Sequence, residues 1–199
     1  MKGSIIIILF FIAGAICGIT GLIKLPDIGD DISFYALGAL MFFVGMNVGH
    51  DVDTLKRVRS ADPRLLLLPL MTIGGTLAGC ALISLFMPRT AAECLAVGSG
   101  FGYYSLSSIF VSKYCGAELG TIALLSNIFR EIITLLGAPV LAAVFGRLAP
   151  ISAGGATSMD TTLPIISQVS GRDMVIVSVF HGFVVDFSVP FLVTLFCTI

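Results

Sequence analysis

The chain alternates long apolar runs with short polar breaks, and the breaks are where charge, glycine and proline collect. Seven runs stand out: residues 4–23, 32–49, 65–87, 92–113, 118–145, 151–170 and 174–198. The first, SIIIILFFIAGAICGITGLI, nearly spans ~30 Å of hydrocarbon at ~1.5 Å per residue. The pattern predicts an all-α integral membrane protein with about seven segments, some of them discontinuous. The fourth and sixth runs are the most polar, so hydropathy alone would accept five.

Composition sharpens this picture. The chain is 57% hydrophobic and 12% charged, where soluble domains use roughly 45–50% apolar residues. Residues 1–199 are therefore expected to form a single transmembrane domain, with a polar loop at about 50–64. A net charge of −1 leaves no electrostatic footprint for nucleic acid. The N-terminus begins like a signal peptide, but no small-x-small site leads into a polar mature region, so it is expected to be a retained segment. Cys17, Cys80, Cys94, Cys115 and Cys197 are scattered, and only His50 and His181 could join them as ligands. Buried, reduced cysteines are expected, with no metal and no cofactor.

The longest polar stretch, HDVDTLKRVRSADPR (50–64), carries Lys56, Arg57, Arg59 and Arg64, which the positive-inside rule places in the cytoplasm. Counting seven crossings from there puts Lys2, Lys113 and Arg172 inside. Arg89, Arg147 and the C-terminal Ile199 then fall outside.

Three stretches do not read as plain helices. In IAGAICGITG (12–21), Gly14 and Gly18 form a GxxxG that suits close helix packing. GSGFGYYSLSS (98–108) is too polar for lipid to cover, and is either an external loop or a helix interrupted at membrane depth. In AGGATSMDTTLP (153–164), Gly154 and Gly155 free the backbone and Pro164 removes an amide. Thr157, Ser158, Thr161 and Thr162 could satisfy the exposed groups. A helix broken in this way aims dipoles and loose carbonyls at a bound ion. Broken first and sixth segments running in opposite directions would suit an inverted repeat.

Acids in apolar surroundings supply the candidate chemistry. Arg130 and Glu131 sit near the middle of the fifth segment, where a charge costs ~2.5–3.5 kcal/mol on insertion scales. Sequence neighbours point about 100° apart on a helix, so the two cannot face each other and each needs its own partner. Asp160 lies in the third broken stretch, and Asp186 lies in HGFVVDFSVP (181–190). Asp186 could instead be a partner for Arg130 or His181, and His181 alone reads more readily as a packing residue. Glu131 and Asp160, with or without Asp186, describe an acidic midplane site where a proton and a cationic solute compete.

Four stretches, SGFGYYSLSSI (99–109), FRE (129–131), GGATSMDTTLP (154–164) and VFHGF (179–183), together resemble the lysine exporter family LysO. They cover the distal half of the chain, and GAICGITGL and FFVGMNVG follow the family more loosely. The resemblance implies part of an inverted-repeat transporter fold. It also implies export of L-lysine, and of analogues such as thialysine, across the bacterial inner membrane. The family's two transport-linked acids fall at Glu131 and Asp160. Asn127, Arg130, Tyr104, Ser105, Gly154, Gly155, Thr157, Ser158, Thr161, Pro164, His181 and Asp186 are the supporting candidates. Family members usually carry about three further N-terminal segments, for a total near ten as in other inverted-repeat transporters. A small partner membrane protein is therefore expected to supply them, while self-association is left open. Asp186 falls where the family need not carry an acid.

Exchange of one lysine for one proton would be electroneutral. The lysine carboxylate is then expected at a half-helix N-terminus or at amides around 154–158. The alternatives are a sodium or proton antiporter of similar architecture and a non-transporting subunit. Intramembrane proteolysis is disfavoured: no GxGD accompanies Asp160 and Asp186, and the GSG at 98–100 is not a GxSG.

Overall fold

A computed structural model describes residues 16, 17, 20 and 65–199. The chain divides into two compact units, Met1–Val52 and Asp53–Ile199, and nearly all the described residues belong to the second. Residues 16, 17 and 20 are helical, with the Thr20 hydroxyl donating to the Ile16 carbonyl. The two N-terminal segments, the Gly14–Gly18 packing motif and the basic loop at 50–64 lie outside the described residues.

The described part of the second unit is all-helical. A 3-10 turn at Leu65–Leu67 leads into α1 (Leu68–Ser84), α2 (Ala91–Gly98), α3 (Tyr104–Cys115) and α4 (Ala117–Phe145). Then come α5 (Ala149–Gly154), a 3-10 turn at Gly155–Met159, α6 (Leu163–Ser170), a 3-10 turn at Arg172–Met174 and α7 (Val175–Thr198). Local sequence sets these limits. Pro69, Pro150 and Pro164 sit in the first turns of α1, α5 and α6, where a missing amide costs nothing. Thr90 and Glu93 cap α2 reciprocally. Gly116 and Gly146, both at positive φ, bound α4.

Among the described residues two helices are long and apolar enough to cross a membrane, α4 and the Arg172–Thr198 segment that contains α7. At ~1.5 Å per residue their 29 and 27 residues exceed the ~30 Å of hydrocarbon. The shorter α1 is apolar as well. Large apolar side chains such as Ile133, Leu136, Phe187 and Phe191 remain exposed on α4 and α7, as a lipid-facing surface requires.

Between these helices the chain does not cross; it doubles back twice. Arg89, just before α2, pairs with Glu118 in the first turn of α4. Both ends of the α2–α3 hairpin therefore lie at the start of α4. Arg147, just after α4, pairs with Asp173 and donates from Nε to the Ser170 carbonyl. The α5–α6 hairpin thus begins and ends at the opposite end of α4. At that end Ile151, Ile166 and Val177 pack with Leu65 and Leu68, so α1 starts beside the second hairpin.

The expectation that residues 92–113 and 151–170 each cross is corrected accordingly. Helices of eight, twelve, six and eight residues are too short to span alone, and each pair returns to the end it left. Lys113 and Arg89 therefore share one end, and Arg147 and Arg172 share the other.

The cysteine expectation is corrected too. Cys115 at the end of α3 and Cys197 near the end of α7 form a disulfide, with Cα atoms 5.7 Å apart. Cys17, Cys80 and Cys94 are free and only partly buried. The two partners are 82 residues apart in sequence, and only the return of the first hairpin to its starting end brings them together. In unreduced protein, peptide mapping should recover the Cys115 and Cys197 peptides as one linked species. Maleimide should reach these two thiols only after reduction, and labelling before reduction would contradict the pairing.

Candidate functional site

The hairpin tips meet. The Ala156 amide in the second tip donates to the Phe101 carbonyl in the first at 2.9 Å. The contact depends on Gly155, which sits at φ +61 with a virtual Cβ 2.2 Å from that same carbonyl. Alpha-helix α7 crosses tightly over the second tip at Gly182, where a Cβ would come within 2.6 Å of the Met159 nitrogen.

Helix α4 anchors both tips. Asn127 accepts from the Gly102 amide at 2.7 Å and donates to the Ala123 carbonyl at 2.8 Å. Arg130 donates from Nε to the Ala153 carbonyl at 2.9 Å and from Nη2 to the Ser152 carbonyl at 3.1 Å. A third donation reaches the Thr76 hydroxyl of α1 at 3.4 Å. The guanidinium thus covers the C-terminal carbonyls of α5, where a positive charge is favoured. It does not pair with Glu131, in keeping with the divergence of adjacent side chains on a helix.

His181 is fully buried, with both ring nitrogens engaged: Nδ1 lies 3.0 Å from the Ser158 hydroxyl and Nε2 lies 2.9 Å from that of Thr72. Thr72 is in turn 2.6 Å from the Ser152 hydroxyl. Ser158 and Ser178 each donate to the other's carbonyl, at 3.0 and 2.7 Å. This chain sews the second hairpin to α1 and α7 and makes His181 a packing residue. Thr72, Ser152 and Ser178 were not legible as site residues, since a lone hydroxyl in an apolar run carries little signal.

The acids gather around Asp160. Glu131 is the central residue of α4 and is only 4% exposed; its carboxyl faces the Thr161 hydroxyl. Asp160 sits just past the second tip, exposed, and its Oδ1 accepts from the Thr161 amide. Asp186 lies midway along α7 and is buried. Asp160 is near enough to act electrostatically on Glu131, Asp186 and Tyr103, and Tyr103 is hydrogen-bonded to Ser105. Tyr103 is a member of this group that sequence reasoning passed over in favour of Tyr104, which is buried.

The remaining candidates fall into place around these groups. Gly154 ends α5, and Thr157 hydrogen-bonds within the tip to the Gly154 carbonyl. Pro164 opens α6, so its missing amide starts a half-helix. Residues 154–158 are buried and the Ala156 amide is already bonded, so that stretch does not offer its amides to a solute. In the first turn of α3 the Tyr104 amide is bonded to the Gly102 carbonyl at 3.0 Å, and Ser105 is half-exposed. Among the described residues no group of three His, Cys, Asp or Glu side chains is arranged for a metal ion.

A cavity of about 440 Å³ runs between α1, the first hairpin and α4, from Arg89 and Glu93 down to Asn127 and Arg130. Its walls are largely apolar, and none of the three central acids lines it. The acidic group is therefore not part of this cavity.

The family model for the lysine exporter LysO matches residues 8–197. The chain belongs to that family. It is 31% identical over 185 residues to the lysine exporter LysO of Escherichia coli (strain K12), covering 93% of this chain and 61% of that protein. It is also 31% identical over 164 residues to a putative lysine exporter of Haemophilus influenzae (strain ATCC 51907 / DSM 11121 / KW20 / Rd), covering 82% of this chain and 83% of that one. The chain thus spans about three fifths of the length of the first relative. No solved structure matches. Family membership makes this a membrane protein of a transporter family, not an enzyme.

Proposed function

We propose that this chain exports L-lysine in exchange for protons, with Glu131 and Asp160 as the groups that alternately hold the ammonium and the proton. One observation carries the reading. In a chain of the lysine exporter family, two hairpins rooted at opposite ends of α4 bring their tips together beside a carboxylate at the middle of that helix.

Lysine carries a net charge of +1, and moving it outward against an inside-negative potential costs ~2.3 kcal/mol per 100 mV. A proton travelling the other way cancels that charge movement. Ionised carboxylates hold an ammonium, and protonated ones release it. The lysine carboxylate would meet the first turn of α3 near Ser105, where the helix N-terminus favours negative charge.

Two signals support one orientation. The basic stretch 50–64 leads directly into Leu65, at the end shared by Arg147 and Arg172. The disulfide lies at the other end, and disulfides persist in oxidising compartments. The first end is then cytoplasmic in the inner membrane, and Ile199 faces the outside.

Proteoliposomes containing the full chain and loaded with labelled lysine test the reading. Efflux should exceed that of protein-free vesicles and rise when the outside is made acidic. No excess efflux at matched protein content would overturn it. Stabilisation by sodium with no effect of lysine would favour an ion exchanger.

A further inference from the structure

We infer that Asp186 and Tyr103 extend the Glu131–Asp160 site and, with Asp160, form a pocket for a primary alkylammonium group. Resting on the lysine-export reading, the inference deepens it by adding Asp186 and Tyr103 to the groups that hold the ammonium.

Among the described residues, the charge on Asp186 is not balanced by the groups around it. Asp186 is 6% exposed, and its Oδ1 has no hydrogen-bond partner among the described residues. The two groups expected to balance it are engaged elsewhere. Arg130 donates to Ser152, Ala153 and Thr76, and both nitrogens of His181 are held by Ser158 and Thr72. A buried carboxylate oxygen left in this state marks a place for a donor that the described residues do not supply.

The neighbours define the donor. Asp160 and Tyr103 both lie within electrostatic reach of Asp186. Asp160 is exposed, so a solute can enter from its side. An alkylammonium has three N–H donors and one positive charge, which suits two carboxylates and a phenol. With no three-ligand group for a metal ion among the described residues, an organic cation fits better than a metal. Pro190 reinforces the site, because its missing amide removes the usual i→i−4 partner of the Asp186 carbonyl and loosens α7 at this level.

The test uses purified full-length protein in detergent and n-butylammonium as the probe. Calorimetric titration should detect binding to the wild type, with affinity at least ~10-fold weaker in Asp186→Asn. Tetramethylammonium, which has no N–H to donate, should not compete. Equal butylammonium affinity in wild type and Asp186→Asn would overturn the proposal. Should that variant fail to fold, carbodiimide labelling of wild-type Asp186 decides: butylammonium should protect the residue, and unchanged labelling would overturn the pocket. Butylammonium binding that depends on Asp186 in a protein that moves no lysine would retain the pocket and remove the export reading. Lysine efflux with no dependence of butylammonium binding on Asp186 would do the reverse.

Discussion

Glu131→Gln should lower lysine efflux by about 100-fold or more while leaving the protein folded and inserted. The substitution keeps the shape and a hydrogen bond to Thr161, but removes the negative charge at the centre of α4. Losing one member of a buried, hydrogen-bonded charge pair costs roughly 2–5 kcal/mol, and each ~1.4 kcal/mol is tenfold in rate. The amide also cannot carry a proton, so whatever flux survives should no longer respond to a pH gradient. Glu131→Asp, which retains the charge on a shorter stem, should recover part of the response. Initial efflux rates from cells and proteoliposomes at matched expression measure this. Wild-type rates in Glu131→Gln would remove the carboxylate from the transport cycle.

Arg130→Met should act on the fold. The guanidinium is the donor to the Ser152 and Ala153 carbonyls, at the point where α5 ends within the membrane. Methionine fills similar space but donates nothing, so two acceptors lose their partner. Each buried acceptor left unsatisfied costs ~1–3 kcal/mol, and together the loss should be on the order of 3 kcal/mol. The second hairpin should then detach from α4. Melting of the detergent-solubilised protein should fall by several degrees, and backbone amides near Ala156 should exchange faster. Arg130→Lys should rescue only partly, since a point charge cannot serve two carbonyls and Thr76 with the same fork. An unchanged melting temperature in Arg130→Met would show that the guanidinium is dispensable.

Much of the candidate site could be read from the sequence because its parts break the local rule. Glycines and hydroxyls at 98–108 and 153–164 cannot be covered by lipid, and both stretches form hairpin tips. Glu131 and Asp186 are conspicuous as charges in apolar runs, and both fall midway along long helices. What hydropathy could not supply is direction. A half-helix entering the membrane has the same composition whether the chain continues across or turns back. The answer lies in contacts between residues far apart: Arg89 with Glu118, Arg147 with Asp173, Cys115 with Cys197 and Thr72 with His181. No local window contains both members of any of these pairs. The surroundings of Asp186 were hidden for the same reason. Sequence spacing allowed Arg130 or His181 as partners, and only the structure occupies both elsewhere.

Lysine-driven proton movement is the most direct check on the account. Vesicles carrying a luminal pH dye and the full chain receive external lysine with no initial pH gradient. Inward lysine movement should expel protons and make the lumen alkaline, and neither Asp160→Asn nor Glu131→Gln should give the signal. Lysine entry with no pH change, or an undiminished signal in Asp160→Asn, would contradict exchange at these carboxylates.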